Sequence, residues 1–260
     1  MTKKIKKTVV TTTTEEIIET PTNEKTQIVC VLDRSGSMSE NGIIYEAING
    51  FNGFLKEQRK LKDDATLTVV LFDDRYEMLY DDVDIKTVKD ITYDTWTPRG
   101  TTALYDAIGK TIANVKANHV RLGTEAPAKV LVCIVTDGKN NASHEYTRDG
   151  IKSIIRQCEN DNWNFIFLAA NQNAFEVGNS FGMSYGNTYT FAGTAQGVAG
   201  MSAMMNNATV SYRSMNSNSE SFKTKSKSLI DDDKDKKEPE NSNTTTITST
   251  NGNNTITNQK

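Results

Sequence analysis

The sequence predicts an α/β fold: a doubly wound, Rossmann-like, mostly parallel sheet with one antiparallel edge strand and helices on both faces. Three continuous apolar runs point to it, QIVCVL at 27–32, KVLVCIVT at 129–136 and WNFIFLAA at 163–170. They have the length and β-branched content of strands covered on both faces. Between them lie segments of helical periodicity long enough to act as crossovers, and alternating strands and helices of this kind build a parallel sheet.

In chain order, the first strand is Gln27 to Leu32, closed by Asp33. Ile43, Ile44, Ile48, Phe51, Phe54 and Leu55 then recur at three- and four-residue spacing, which predicts a helix from about Ser39 to Lys60, locally weakened by Gly50 and Gly53. Thr66 to Phe72 is a second strand, and the shorter, more polar run Tyr76 to Tyr80 suits an edge strand paired with it as a hairpin. Pro98 and Gly100 mark 96–102 as a loop feeding a helix from Ala103 to Asn118. After the strand Lys129 to Thr136 come Asp137-Gly138, a polar loop, and a helix from about Thr147 to Glu159. The strand Trp163 to Ala170, a short helix Ala174 to Phe181, a last strand within Ser184 to Phe191 and a closing helix Gln196 to Tyr212 complete the pattern.

Composition limits what surrounds this unit. With 36% hydrophobic residues in 260, the chain supports one good-sized core. The Lys- and Thr-rich segment 1–25 and the Ser-, Asn-, Thr-, Asp- and Lys-rich segment 214–260 carry too few large apolar residues to offset their ordering entropy, so both read as disordered around one domain at 26–213. A net charge of −3 gives no electrostatic footprint for nucleic acid or an anionic membrane. No apolar run reaches bilayer-spanning length, and the basic N-terminus leads into Thr and Glu rather than a hydrophobic signal region. Cys30, Cys133 and Cys158 are odd in number and lack metal-ligand spacing, which reads as reduced, buried thiols and a cytoplasmic setting.

In doubly wound sheets, ligands sit beyond the carboxyl ends of the strands. There the sequence places Asp33-Arg34-Ser35-Gly36-Ser37, Asp73-Asp74, Asp137-Gly138 and Asn171-Gln172-Asn173. The first group sets one carboxylate and two hydroxyls on alternate positions of a tight turn. Hard divalent cations take oxygen ligands, and magnesium binds through few carboxylates while keeping several waters. Taken alone, the same turn also reads as a helix cap.

Asp-x-Ser-x-Ser after the first strand, a Thr in a Gly-Thr loop opening a later helix, and Asp-Gly after the fourth strand together resemble the metal-ion-dependent adhesion site of von Willebrand factor A domains, over roughly Thr26 to Arg213. The resemblance implies that Ser35, Ser37 and Thr102 offer hydroxyl oxygens to a Mg2+ ion, with Mn2+ or Ca2+ as alternatives, while Asp33 and Asp137 act through waters or hydrogen bonds. Spacing to Ile108 selects Thr102 over its neighbour Thr101, which stays an alternate ligand. It also implies a protein partner whose Asp or Glu carboxylate fills an open position on the ion. A compact stand-alone domain is similar to bacterial or bacteriophage members more than to extracellular animal ones.

Other signals weigh less. Gly109-Lys110-Thr111 lies inside a helix and lacks the first Gly of a phosphate loop. Asp81, Asp82 and Asp84 lack the spacing of a calcium loop, and His119 and His144 are too few and too far apart for zinc. Asn171 to Asn173 read equally as rim amides or as caps of the next helix, and Trp96 and Arg99 equally as rim contacts or packed residues. His144 and its polar neighbours Asn140, Asn141, Ser143 and Glu145 are candidates for partner contact. The expected function is non-enzymatic protein binding. One alternative is a structural or virion-associated protein with a purely stabilising ion. The other is a phosphatase-like enzyme, for which Asp33 would need a second carboxylate where Ser35 stands.

Overall fold

In the computed structural model, residues 24–170, 174–183 and 187–217 are described. The segments 1–23 and 218–260, which hold most of the two polar ends, and Asn171-Gln172-Asn173 lie outside them. Six strands form one sheet in the order β3-β2-β1-β4-β5-β6. They are β1 Thr26–Asp33, β2 Ala65–Phe72, β3 Tyr76–Asp84, β4 Lys129–Thr136, β5 Trp163–Ala170 and β6 Thr188–Phe191. Only the β2–β3 pair is antiparallel. The helices are α1 Ile43–Arg59, α2 Leu104–Leu122, α3 Arg148–Asn160, α4 Ala174–Ser180 and α5 Ala195–Ser214.

The continuous apolar runs become buried strands because each alternates its side chains between two cores. Along β1, Ile28, Cys30 and Leu32 join one core with the apolar faces of α1 and α5. Val29 and Val31 join the other, beneath α2, α3 and α4. Burying each such Ile, Leu or Val stabilises the fold by about 1.5–3 kcal/mol, so a one-residue slip of β1 would exchange its contacts with both layers at once.

Three features differ from the sequence reading. The first helix begins at Ile43, preceded by a 3₁₀ segment over Gly36–Gly42. Ser35 is the N-cap of that segment and Ser37 lies in its first turn. Strand β3 runs four residues past Tyr80 to Asp84, with its pairing to β2 interrupted by a bulge near Leu67 to Val70. Gly50 is a packing site more than a weakness: a side chain there would collide with Ser202 of α5, so its absence lets the two helices approach.

Strand order places the chemistry. The chain leaves β1 through α1 on one face to reach β2, and returns through α2 on the other face to β4, which lies on the opposite side of β1. Loops therefore diverge above β1 and β4, and a crevice opens at their carboxyl ends. Asp33 is level with Phe72 of β2, and Leu32 with Val135 of β4, so the ends of the three strands stand at one height.

Candidate metal site

Asp33 ends β1 and is fully buried. Its Oδ1 accepts the Ser35 amide at 2.7 Å, closing the turn, and its Oδ2 accepts the Thr136 hydroxyl at 2.6 Å. Burial pushes the Asp33 carboxyl up to about 6, opposed by the Thr136 hydroxyl and the Ser35 amide, while the charge of Asp137 adds to the rise. Asp137, partly buried beyond β4, is also raised by burial, which outweighs the Ser37 hydroxyl it accepts.

The hydroxyls gather around these carboxylates. Ser37 donates to Asp137 Oδ1 at 2.8 Å, and Ser35 Oγ lies 3.1 Å from Ser37 Oγ. Ser35 and Ser37 are thus within hydrogen-bond distance of each other beside the two carboxylates. Thr102 faces the same point from the third loop: a methyl group built on Gly138 would stand 3.0 Å from its Oγ1 and 3.7 Å from Ser37 Oγ. Thr102 is buried, whereas its neighbour Thr101 is exposed. The structure thus brings Asp33, Ser35, Ser37, Thr102 and Asp137 together.

Among the described residues no group of three or more His, Cys, Asp or Glu is placed to hold a metal. Any ion here would rest on serine and threonine oxygens beside the carboxylates. That donor set fits a hard cation: every atom is oxygen, and two carboxylates held up by burial, one of them by the other's charge as well, are relieved by a positive charge.

The loops are held by Asn141 and Ser143, which the sequence reading offered for partner contact, and by Asp106, to which it gave no role. Helix α2 has Ala103 at its N-cap, a residue without a capping side chain. Its exposed amides are taken instead by the loop after β4: Asn141 Oδ1 accepts the Thr102 amide at 2.8 Å, and Ser143 Oγ accepts those of Tyr105 and Asp106 at 3.0 and 3.2 Å. Asp106 returns the favour, its carboxylate accepting the amides of His144, Glu145 and Tyr146 at 2.8, 3.0 and 2.8 Å. The sequence carried no signal of this, because Thr102 standing directly before the predicted helix reads as an ordinary N-cap.

Thr136 was hidden because it reads as the last residue of a strand. Asn140 and Ser143 are half-buried against the start of α2, while Asn141, although it accepts the Thr102 amide, and His144 remain exposed. Trp96 is packed: it meets Phe51 edge-on at 6.2 Å, and its indole N–H donates to the Asp33 carbonyl at 3.0 Å. Arg99 is at the rim, bonded to Asp73 and paired with Glu77. His119 lies away from the site, with Nε2 2.7 Å from Gln27 Oε1 and its ring against Trp163.

Gly100 gives the threonine loop its path. It has φ +65°, and a side chain there would collide with the Asp74 carboxylate. Its carbonyl accepts the Gly36 amide at 3.1 Å, which ties the threonine loop to the serine turn.

No family model matches the sequence, and no curated protein matches it. Solved structures do match the fold. The vWF domain of the type V pili tip protein Mfa5 from Porphyromonas gingivalis aligns over 71% of this chain and 96% of its own, with 10% identity and a TM-score of 0.50. The PilB minor pilin from Streptococcus sanguinis aligns over 70% of this chain and 60% of its own, with 9% identity and a TM-score of 0.51. Proximal thread matrix protein 1 from the mussel byssus, solved with a zinc-occupied MIDAS motif, aligns over 71% of this chain with 16% identity and a TM-score of 0.50. This chain spans 46% of that protein's length.

Proposed function

We propose that this chain, whose fold is that of the von Willebrand A-type domains, is a metal-dependent protein-binding module without enzymatic activity. Asp33, Ser35, Ser37, Thr102 and Asp137 hold a divalent cation, Mg2+ in our reading, at the carboxyl ends of β1 and β4. The partner is a protein that presents an Asp or Glu carboxylate. When bound, the cation supplies Lewis acidity toward that outside carboxylate.

One observation carries the reading. Hydroxyl and carboxylate oxygens from three loops, separated by up to 104 residues, meet at one point, with Ser37 on Asp137 at 2.8 Å and Thr102 across from it. The zinc-occupied MIDAS motif of the byssus protein, on the same fold, supports it. The state of Asp33 supports binding over catalysis. Both oxygens of Asp33 are engaged and its side chain is shut from solvent, so it is not presented as a nucleophile. Among the described residues no helix is long and apolar enough to cross a membrane. Cys30, Cys133 and Cys158 are free and buried, in keeping with our placement of the protein in a reducing, cytoplasmic compartment.

The test is partner capture with Mg2+ and with EDTA, repeated for Ser35→Ala and Asp137→Ala, with thermal melts alongside. Loss of partner without unfolding is the expected result. Chelation that lowers the melting temperature while every interaction survives would reassign the ion to a stabilising role. Phosphoester turnover that vanishes in Asp33→Ala would make the protein an enzyme.

A further inference from the structure

We infer that Asp73 is a positioning residue that fixes the threonine loop against the serine turn, with Arg34 and Arg99 as its two arms; this rests on the metal-binding reading of the same site. Asp73 follows β2 and is wholly buried, and its hydrogen bonds and ion pairs run to Arg75 and to Arg34, Arg99 and Ala103, neighbours of the site residues. Its Oδ1 accepts the Arg75 amide at 2.6 Å, which holds the carboxylate in place. Its Oδ2 accepts from Arg99 Nε and faces Arg34 Nε at 3.6 Å.

These two arginines come from the two loops that matter. Arg34 sits inside the Asp-x-Ser-x-Ser turn, between Asp33 and Ser35, and is buried; Arg99 precedes Gly100 in the threonine loop and is exposed. Both guanidinium groups also reach Glu77 on β3. The backbone repeats the linkage: the Arg99 amide donates to the Arg34 carbonyl at 2.8 Å, and the Ala103 amide to the Asp73 carbonyl at 2.8 Å. Ala103 is the residue after Thr102. Asp73 therefore grips the threonine loop on both sides of the site threonine, by side chain at Arg99 and by backbone at Ala103.

A buried Asp between two arginines sets geometry more firmly than a neutral hydrogen bond, because the guanidinium forks are planar and charged. Groups that orient metal ligands typically change metal affinity by about 10–100-fold when removed. Asp73 and Arg99 act through Thr102, so their effect must depend on the Thr102 hydroxyl.

The experiment is calorimetric Mn2+ titration of the full chain, for wild type, Arg99→Gln, Asp73→Asn, Thr102→Ala and the Arg99→Gln/Thr102→Ala double variant. Arg99 is the solvent-side arm, so Arg99→Gln should melt within about 4 °C of wild type in EDTA while binding Mn2+ about tenfold more weakly. Asp73→Asn weakens it further. In the Thr102→Ala background the Arg99→Gln step should cost almost nothing, since the loop's placement then no longer serves a hydroxyl. An unchanged Mn2+ affinity in Arg99→Gln, or an equal loss in both backgrounds, overturns the inference. Amide exchange in EDTA separates this from failure of the metal reading. Exchange at Ala103 and Arg99 should quicken in Arg99→Gln even if wild type takes up no Mn2+, in which case the metal reading falls and the positioning stands. Unchanged exchange at both amides overturns the positioning itself.

Discussion

Replacing Asp106 should loosen the loop after β4 and weaken the site at a distance. Its carboxylate is 8% exposed, stands in the first turn of α2, and accepts three backbone amides, from His144, Glu145 and Tyr146. Hydrogen bonds to a charged group contribute about 1.5–3 kcal/mol each, but in Asp106→Ala the freed amides lie in a loop that water reaches and are partly re-solvated. The helix N-terminus also loses a favourable negative charge worth about 0.3–1 kcal/mol. A net loss of about 3 kcal/mol follows, which in a domain of this size lowers the melting temperature by about 6–12 °C. Asp106→Asn keeps one acceptor oxygen and should fall between.

The pH dependence has a defined sign. Burial alone would raise the Asp106 carboxyl, but the amides of His144, Tyr146 and Glu145, with help from Lys110, hold it below its ordinary value. Such a group adds stability that is fully present above the unfolded value, about 4, and lost as pH falls through the lower folded value. The gap between wild type and Asp106→Ala should therefore be constant from about pH 5 to 8 and narrow below about pH 4. Calorimetric melts across that range check it. A loss under 2 °C at pH 7, or a gap that widens in acid, would refute the assignment of Asp106 as the loop's anchor.

Other substitutions probe the remaining supports. Trp96→Phe keeps the edge contact with Phe51 but leaves the buried Asp33 carbonyl without the indole donor, so chemical denaturation should show a loss of about 1–3 kcal/mol. Gly100→Ala forces a side chain into a left-handed backbone and against Asp74; we expect at least about 1–2 kcal/mol of destabilisation together with weaker Mg2+ binding by calorimetry. Thr136→Val removes the hydroxyl that Asp33 Oδ2 accepts from, and a thermal melt in EDTA should fall by the equivalent of about 1–3 kcal/mol.

The fold was legible because its signals are local. Runs such as KVLVCIVT declare a strand with two buried faces, and β4 and β5 have the bounds read from sequence. The site motifs were legible for a related reason: Asp33, Ser35 and Ser37 sit on consecutive alternate positions, and strand-end placement brings Asp137 beside them. The supports were not, because each depends on a partner far along the chain. Asp73 meets Arg34 39 residues away and Arg99 26 away, and Asp106 meets Tyr146 40 away. Nothing in the local composition of Phe72-Asp73-Asp74 or Tyr105-Asp106-Ala107 distinguishes a structural carboxylate from a solvated one. Trp96 was ambiguous for the same reason, since its partner is a backbone carbonyl 63 residues earlier.

The electrostatics of the site lead to a last prediction, in which function and stability pull apart. Asp33 and Asp137 are both held up by burial, and the charge of Asp137 raises Asp33 further. Two carboxylates buried side by side cost stability, and a cation between them offsets that cost. Asp137→Asn removes one of these charges while its side-chain oxygen still accepts the Ser37 hydroxyl now 2.8 Å away. In EDTA the variant should therefore melt higher than wild type, by about 2–4 °C for each kcal/mol of repulsion relieved. With saturating Mg2+ the order should reverse, because only wild type gains stability from an ion that binds the folded state. Paired melts with and without Mg2+ measure both halves. A variant that melts lower than wild type in EDTA would show that Asp137 serves the fold first, and the opposition of two carboxylates would then no longer argue for a cation.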